Sequence, residues 1–438
     1  MKTNMAETYD VAIEKDIAIS VHPEFPTQQL GSYAWKARAQ EFDLLVDSSG
    51  CELVESVRIN VRKITSATLF GSGKVEEIRL QVEEHEAKVV FVDHPLSPVQ
   101  QGKLEDALAA KVVDRTGLIL EIFASRARTR EGILQVELAS LNYQMGRLVR
   151  SWTHLERQRG GVGLMGGPGE RQIELDRRMI RDKIISLEKD LEKIKRMRAT
   201  QRAGRQKKDM PTVALVGYTN AGKSTLFNRL TNSGVYVADQ LFATLDPTLR
   251  LLEIGDSLRL MLSDTVGFVQ ELPHELVNAF KATLEEVIEA DLILHVRDAS
   301  DPMKAEQAKV VHETLEQLGL VGDYAPPIVE VLNKKDMAPE LESFRAESIG
   351  GSRIAISALT GEGMDELLAL LHDFVCQDMR ELHLKLDLSD GKALAFCYQH
   401  GAVVQKESDA SIMSIVVRMN PIDAAKFSVN AEGISSLS

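Results

Sequence analysis

The stretch Thr212-Val213-Ala214-Leu215-Val216 runs directly into Gly217-Tyr218-Thr219-Asn220-Ala221-Gly222-Lys223-Ser224. The apolar run predicts a buried strand, and the next eight residues fit G-x-x-x-x-G-K-[ST], the pattern of a phosphate-binding loop. The two glycines let the backbone curl so that its N–H groups point inward at a phosphate chain. The stretch therefore predicts a domain that binds a nucleoside triphosphate.

Each residue type in this loop has an expected task. The helix that begins near Lys223 adds the positive end of its dipole, and the lysine would reach the β and γ phosphates as a catalytic residue. The Ser224 hydroxyl would be a ligand of Mg²⁺. We expect the whole loop to contact the nucleotide: Gly217, Tyr218, Thr219, Asn220, Ala221, Gly222, Lys223 and Ser224.

A second motif follows the apolar segment Leu258 to Leu262. A carboxylate at a strand end can hold the Mg²⁺ shell through water, and Asp264 stands at that position. A glycine beside it lets its backbone N–H approach the γ-phosphate, so Gly267 is also a predicted catalytic residue. The predicted nucleotide contacts of this motif are Asp264, Thr265, Val266 and Gly267.

Two further strand ends indicate which base is bound. Asp336 closes a motif that follows an apolar strand, and its carboxylate can accept both N–H groups on the guanine edge, which adenine does not offer. Backbone after the strand that ends at Ile356 can read guanine O6. The predicted base contacts are Asn333, Lys334, Lys335, Asp336, Ser357, Ala358 and Leu359. GTP is preferred over ATP on this pattern, with GDP as the product.

The loop before residue 248 supplies the remaining predicted contacts: Phe242, Ala243, Thr244, Leu245 and Asp246. A threonine in such a loop can complete the Mg²⁺ coordination when the γ-phosphate is present. We choose Thr244 for this role and count it as catalytic, with Thr248 as the competitor.

One substitution bears on the rate of hydrolysis. Many GTPases carry a glutamine that orients the attacking water directly after Asp-x-x-Gly. This chain has Phe268 there, which cannot hydrogen-bond to water. We therefore expect slow hydrolysis by the isolated chain, and a partner that supplies or orders the missing element. The alternative is that another side chain of this protein substitutes.

Composition and charge indicate how many domains the chain can form and where it could bind an anion. The 438 residues suffice for two or three domains. Three distant cysteines predict reduced thiols and a cytoplasmic location, and no apolar stretch predicts a signal peptide or a membrane span. The net charge is −13, yet residues 145–208 hold 18 Lys and Arg against 8 Asp and Glu. This segregation indicates a local anion-binding element.

The same basic region is periodic. Leucines and related residues recur at spacings of four and three from Leu134 to Leu155 and again from Ile173 to Ile194. The pattern predicts two long helices, separated by a glycine-rich span that cannot continue a helix. We expect an antiparallel hairpin whose tip is flanked by Arg157, Arg159 and Arg171. A core-packing or dimerising hairpin with solvated charges is the alternative.

Alternating strands and helices predict the domains. Residues 211–378 form a doubly wound α/β GTPase domain, and residues 26–130 form a smaller α/β domain with a parallel sheet. We expect a loose tail at 1–25, the hairpin at 131–201 with its tip at 159–169, a linker at 202–210, and a small α/β appendage at 379–438. Residues 71–74 (GSGK) could touch a phosphate, but a turn that starts a helix is the stronger interpretation.

Several longer strings carry a resemblance to a known family. They include GSGKVEE at 71–77, VDRTGLIL at 113–120, GGPGE at 166–170, DQLFATLD at 239–246 and DTVGF at 264–268. With these strings, residues 40–378 resemble the HflX family of ribosome-associated GTPases, which belongs to the translation-factor-related class.

The resemblance implies a function. It implies binding to the large ribosomal subunit through the small α/β domain and the hairpin, splitting or rescue of stalled ribosomes under stress, and hydrolysis stimulated by the ribosome. A hydrophobic residue at the place of Phe268 is typical of the family. We expect a free monomer without a DNA partner, which also associates with ribosomes or lies at the membrane periphery. The alternatives are a GTPase switch on a non-ribosomal partner and an ATP-dependent RNA remodeller that uses the amino-terminal half.

Overall fold

The structure is a computed structural model of the 438-residue chain. It describes residues 15–25, 32–158, 168–206, 210–232, 241–242, 248–255, 258–270, 284–320, 322, 325–344, 346, 349–377, 379–387, 390–409, 412–419, 423–424 and 427. The chain forms two compact units. The first comprises residues 1–126 and 136–186, and the second comprises residues 127–135 and 187–438.

The first unit contains a parallel sheet with strand order β2-β1-β3-β4. Its elements are β1 Ile17–Glu24, α1 Ser32–Ser48, β2 Glu52–Asn60, α2 Ser72–Glu84, β3 Val89–Val92, α3 Pro98–Leu108, β4 Lys111–Asp114 and α4 Arg115–Arg126. The predicted parallel α/β sheet is confirmed. Its core includes Ile19, Ile78 and Leu104, each fully buried.

The prediction of a loose tail at 1–25 is wrong for β1. Ile17–Glu24 is a central strand, and all six of its interior residues are buried. Ser20 and His22 interrupt the apolar pattern of this strand, which concealed it. Both are nevertheless buried because Asp43 on α1 accepts hydrogen bonds from Ser20 Oγ at 2.6 Å and His22 Nε2 at 3.0 Å.

The two predicted long helices are present as α5 Arg130–Gln158 and α6 Pro168–Gln206. Glu137 pairs with Lys183, and Glu131 pairs with Arg198 at 2.8 Å, as expected when two helices run antiparallel. Pro168 and Gly169 belong to α6, where a proline suits the first turn. Residues 202–206, predicted as linker, are also helical. Residues 159–167 of the predicted tip lie outside the described residues.

The second unit contains a six-stranded sheet with order β10-β9-β8-β5-β7-β6. Only β6 is antiparallel to its neighbour. The elements are β5 Thr212–Val216, α7 Lys223–Thr231, β6 Thr248–Ile254, β7 Leu258–Asp264, α8 Glu285–Ile288, β8 Leu292–Asp298, α9 Lys304–Gln317, β9 Ile328–Asn333, a 3₁₀ turn Lys335–Met337, β10 Arg353–Ala355 and α10 Met364–Cys376. One apolar core of this sheet is formed by alternate strand residues packed with α7 and α10.

The last elements of the second unit form an antiparallel sheet with order β11-β13-β12. These are β11 Arg380–Asp387, α11 Gly391–His400, β12 Gly401–Asp409 and β13 Ile412–Met419. Leu384, Cys397 and Val417 lie in its own small core. Among the residues that the structure describes, no helix combines the length and apolar character needed to span a bilayer.

Candidate functional site

The predicted motifs meet at one edge of the six-stranded sheet. Parallel strands present their carboxyl ends together, and ligands of doubly wound folds bind in the crevice there. The phosphate loop follows β5, Asp264 ends β7, Asn333 ends β9, and Ser357 comes soon after β10. Residues that lie far apart in the sequence are thereby brought together around one crevice.

The two glycines of the phosphate loop are required because neighbouring atoms leave no room for a side chain at either position. A Cβ on Gly217, whose φ is +153°, would lie 2.1 Å from the backbone oxygen of Val296. A Cβ on Gly222, with φ +89°, would lie 2.2 Å from Asn333 Nδ2. Any side chain at either position would push the loop away from the neighbouring strand ends.

Lys223 begins α7 and is buried beneath the loop. Its Nζ donates to the carbonyl oxygens of Gly217 at 3.0 Å and Tyr218 at 2.8 Å. Burial lowers the pKa of Lys223 to about 8, and the charge of Asp264 offsets only part of this effect. The two carbonyl oxygens therefore position the ammonium in the loop, and a phosphate oxygen can replace them as its hydrogen-bond acceptor.

Ser224 and Asp264 form the pair that could hold a magnesium ion. Ser224 Oγ donates to Asp264 Oδ2 at 2.7 Å, and the aspartate is completely buried. Hydroxyl and carboxylate oxygens are hard donors of the kind Mg²⁺ prefers, and this ion takes only one or two protein ligands when phosphates supply the others. The donor set fits the ion.

The segment after Asp264 lies directly against the phosphate loop. Phe268 N donates to Gly217 O at 3.1 Å, and Thr219 N donates to Phe268 O at 2.8 Å. Further along, Gln270 N donates to the Tyr218 hydroxyl at 2.9 Å. Phe268 is only 2% exposed. Its backbone therefore binds the loop, while its ring offers no hydrogen bond.

Gly267 faces the Lys223 ammonium. A Cβ built on Gly267 would lie 3.0 Å from Lys223 Nζ and 2.8 Å from Thr219 Cγ2. A larger residue would occupy the space in which Lys223 must meet a phosphate. Val266 and Thr265 are buried beside it, and Thr265 Oγ1 donates to Leu215 O at 2.6 Å.

Asn333 connects the phosphate loop to the base-binding segment. Its Nδ2 donates to Ala221 O at 2.9 Å, and its Oδ1 accepts a hydrogen bond from Ala358 N at 2.9 Å. The residue is 2% exposed. Asn333 thus links the phosphate loop to the segment that follows β10.

Asp336 is exposed at the rim, where it can meet a ligand. Ser357 Oγ donates to Asp336 Oδ1 at 2.6 Å, which fixes the carboxylate. The two lysines before it are held by neighbours: Lys334 Nζ pairs with Asp298 at 2.7 Å and Lys335 Nζ with Glu362 at 2.9 Å. Leu359 is 73% exposed at the same rim.

The structure adds one positioning residue that the sequence analysis missed. Arg229 on α7 donates to the carbonyl oxygens of Ala358, Leu359 and Thr360 at 3.2, 2.9 and 2.8 Å. It fixes the segment expected to read guanine O6. Nothing in the sequence marks it, since an arginine near the end of a helix is common and its partners lie more than a hundred positions away.

Part of the predicted site lies outside the described residues. These are Ala243, Thr244, Leu245 and Asp246. Phe242 is described and buried, with a left-handed φ of 58°. Thr248, the competitor of Thr244, starts β6 and pairs with Asp264 in the antiparallel register. The side chains of Arg157 and Arg171, and all of Arg159, also lie outside the described residues.

Four family models together match most of the chain. They are a GTP-binding GTPase N-terminal region at 36–124, a GTP-binding GTPase middle region at 126–205, a 50S ribosome-binding GTPase at 212–334 and an HflX C-terminal domain at 345–430. The last match extends the resemblance beyond residue 378, where the sequence analysis ended it.

Curated relatives agree with these models. A protein named GTPase HflX from Magnetococcus marinus is 52% identical over 377 residues, which cover 86% of this chain and 87% of that protein. The GTPase HflX of Escherichia coli is 46% identical over 388 residues, with 88% and 90% covered. A solved structure, the complex of SsGBP with GDP, is 23% identical and has a TM-score of 0.46 over 83% of this chain and 99% of that one.

Proposed function

Because this chain belongs to the HflX family of GTPases and is therefore a GTP-hydrolysing enzyme, we propose that it acts on ribosomes. It binds the large ribosomal subunit in the cytoplasm, splits or rescues stalled ribosomes under stress, and hydrolyses GTP when the ribosome stimulates it. The match of residues 212–334 to a 50S ribosome-binding GTPase model supports the ribosomal partner.

One observation supports the proposal that GTP hydrolysis depends on a partner. The ring of Phe268 is buried at the place where other GTPases orient water, and the backbone on either side of it is bound to the phosphate loop. GTP would place its γ-phosphate against this segment and so reorder it, since Gly267 borders the space that Lys223 and a phosphate would share. A surface that rebinds the reordered segment would favour the hydrolysing state, and the ribosome supplies that surface.

The residue roles proposed for the site follow its geometry. Lys223 and the loop N–H groups bind the phosphates, Ser224 binds Mg²⁺, the buried Asp264 holds its shell through water, and Asp336 selects guanine. Bound Mg²⁺ would neutralise charge on the β and γ phosphates. Thr244 remains the proposed second threonine ligand.

The guanine assignment is tested by Asp336→Asn. An amide in place of the carboxylate offers one donor and one acceptor, so it no longer accepts both N–H groups of guanine. We expect GDP affinity to fall by about 10³-fold or more and xanthosine diphosphate to bind better than GDP, measured by competition against a fluorescent nucleotide. Asp298→Asn, which alters the partner of Lys334, serves as the control. Unchanged GDP affinity in the Asp336 variant would refute the assignment.

The ribosomal assignment is tested by hydrolysis rates. We expect purified large subunits to raise the GTP turnover of the protein by about 10³-fold, the range seen when a catalytic element is supplied in trans. Small subunits at equal concentration serve as the control. Tight nucleotide binding with no stimulation by large subunits would point to a GTPase that serves another partner.

A further inference from the structure

We infer that Arg229 is a specificity-determining residue of the guanine site, where it acts as a positioning residue through the turn at residues 357–361. It holds this turn in the place from which the backbone and Asp336 select the base. The inference rests on the proposed role of Asp336 in guanine selection. It adds to the site an arginine that belongs to none of the nucleotide-binding motifs.

The first observation is that one guanidinium binds three successive carbonyl groups. Arg229 Nη1 donates to Ala358 O at 3.2 Å and to Leu359 O at 2.9 Å, and Arg229 Nη2 donates to Thr360 O at 2.8 Å. The donors of a guanidinium have a fixed, planar arrangement. Binding three successive carbonyls to it therefore sets the shape of the turn as well as its distance from α7.

The second observation is that the turn leaves room for this arginine. Gly361 has a left-handed φ of +97°, and a Cβ on it would lie 2.3 Å from Arg229 Nη2 and 3.0 Å from Arg229 Cζ. A glycine adopts this conformation without strain and leaves free the space that the guanidinium occupies. The sequence of the turn is thus fitted to Arg229.

The third observation is a series of hydrogen bonds from the turn to the carboxylate of Asp336. The C=O and N–H groups of a trans peptide point in opposite directions, so carbonyls that face Arg229 direct the N–H groups of the turn away from it. Thr360 N accordingly donates to Ser357 Oγ at 3.0 Å, and Gly361 N donates to Ser357 O at 2.8 Å. Ser357 Oγ in turn donates to Asp336 Oδ1 at 2.6 Å. The arginine therefore acts on Asp336 through the turn.

The arginine is also exposed, which separates its role in the site from a role in the fold. Two of its three carbonyl partners, Leu359 O and Thr360 O, belong to exposed residues, so water can bind them when the guanidinium is absent. Ala358 keeps a second link, because its N–H donates to Asn333 Oδ1 at 2.9 Å. Loss of Arg229 should therefore shift the turn and leave the domain folded.

The test compares Arg229→Met with Arg229→Lys. We expect the methionine variant to bind GDP about tenfold more weakly, the effect of losing one well-placed hydrogen bond to the base. Its affinity for ADP should stay unchanged, because adenine does not use the guanine contacts, so the preference for GDP over ADP falls about tenfold. The lysine variant keeps the charge without the planar arrangement of donors and should lose nearly as much. Competition against a fluorescent nucleotide, whose own affinity is determined for each variant, measures both ligands.

The control is Arg259→Met, which removes another exposed arginine of the same domain and should leave both affinities unchanged. Thermal unfolding without nucleotide should be close to that of the wild type in all three variants. An unchanged GDP affinity in Arg229→Met, equal losses for GDP and ADP, or full recovery by lysine would overturn the inference. If the wild-type protein itself bound GDP no better than ADP, the guanine assignment would fail, and this would be seen before any variant is compared.

Discussion

At the scale of single residues, the environment of the Lys223 ammonium in the free protein favours the binding of a phosphate. Among the described residues, the buried ammonium of Lys223 donates to carbonyl oxygens alone, and burial lowers its pKa to about 8. A bound phosphate would raise that pKa again, because it adds negative charge next to the ammonium. Nucleotide binding and protonation of Lys223 are therefore coupled.

This coupling predicts a pH dependence of nucleotide affinity. The free protein loses the Lys223 proton as the pH rises through about 8, and the neutral amine binds phosphate poorly, so affinity must fall as the pH rises. We expect GDP affinity to be constant from pH 6 to 7 and about fourfold weaker at pH 8.5, measured by fluorescence titration. Lys223→Met should bind weakly and show no pH dependence. A parallel decline in both proteins would assign the effect to another group.

The residues of the site differ in how far the sequence could predict them. Lys223, Asp264 and Asp336 belong to short motifs at strand ends, so their types and spacing indicated where they would lie. The positioning by Arg229 could not be predicted, since it depends on contacts with Ala358, Leu359 and Thr360 that only the folded chain creates. The same holds for the hydrogen bonds by which Asn333 links two loops, because its partners Ala221 and Ala358 are distant in the sequence.

At the scale of elements, strand β1 was not predicted because polar residues interrupt its apolar pattern. His22 is buried, yet hydrogen bonds to Asp43 and Asp93 and the charges of both outweigh burial and raise the pKa of the histidine. Arg115, only 2% exposed, in turn pairs with Asp93 at 2.8 Å and Glu41 at 2.7 Å. Long parallel strands and heptads are predictable from periodicity. A strand whose buried polar side chains are paired with residues distant in the sequence is not.

Placing a charge in β1 should unfold the first unit and spare the second. Val21 is completely buried in the central strand, so Val21→Asp would bury an unpaired carboxylate at a cost of more than about 4 kcal/mol. Trp35 lies in the first unit, where the Arg58 guanidinium is 4.0 Å from the centre of its ring, so its fluorescence reports the unfolding of this unit. We expect the variant to lose the native tryptophan signal and to keep GDP binding.

The matched control is Val404→Asp, which places the same charge on a side chain that is 55% exposed. It should leave both signals unchanged. If Val21→Asp abolished GDP binding together with the tryptophan signal, the two units would fold as one and the separate cores would not explain the stability.

At the scale of the whole molecule, charge is distributed unevenly along the chain. The chain carries −13 overall, while residues 145–208 carry ten more basic than acidic side chains. An acidic protein with one basic segment would be repelled by ribosomal RNA except where that segment meets it. Charge therefore favours a defined orientation of binding over non-specific attachment.

Reversing charge near the hairpin tip tests this orientation. We expect Arg157→Glu, Arg159→Glu and Arg171→Glu together to weaken binding to large subunits by about 10²-fold or more, and to reduce the slope of log affinity against log salt by about three, one for each lost phosphate contact. Co-sedimentation with a non-hydrolysable GTP analogue at several salt concentrations measures both. The control reverses three cations outside the hairpin, Arg250, Arg259 and Lys309, all exposed. Equal losses in the two triple variants would mean that net charge, and not the hairpin, governs association.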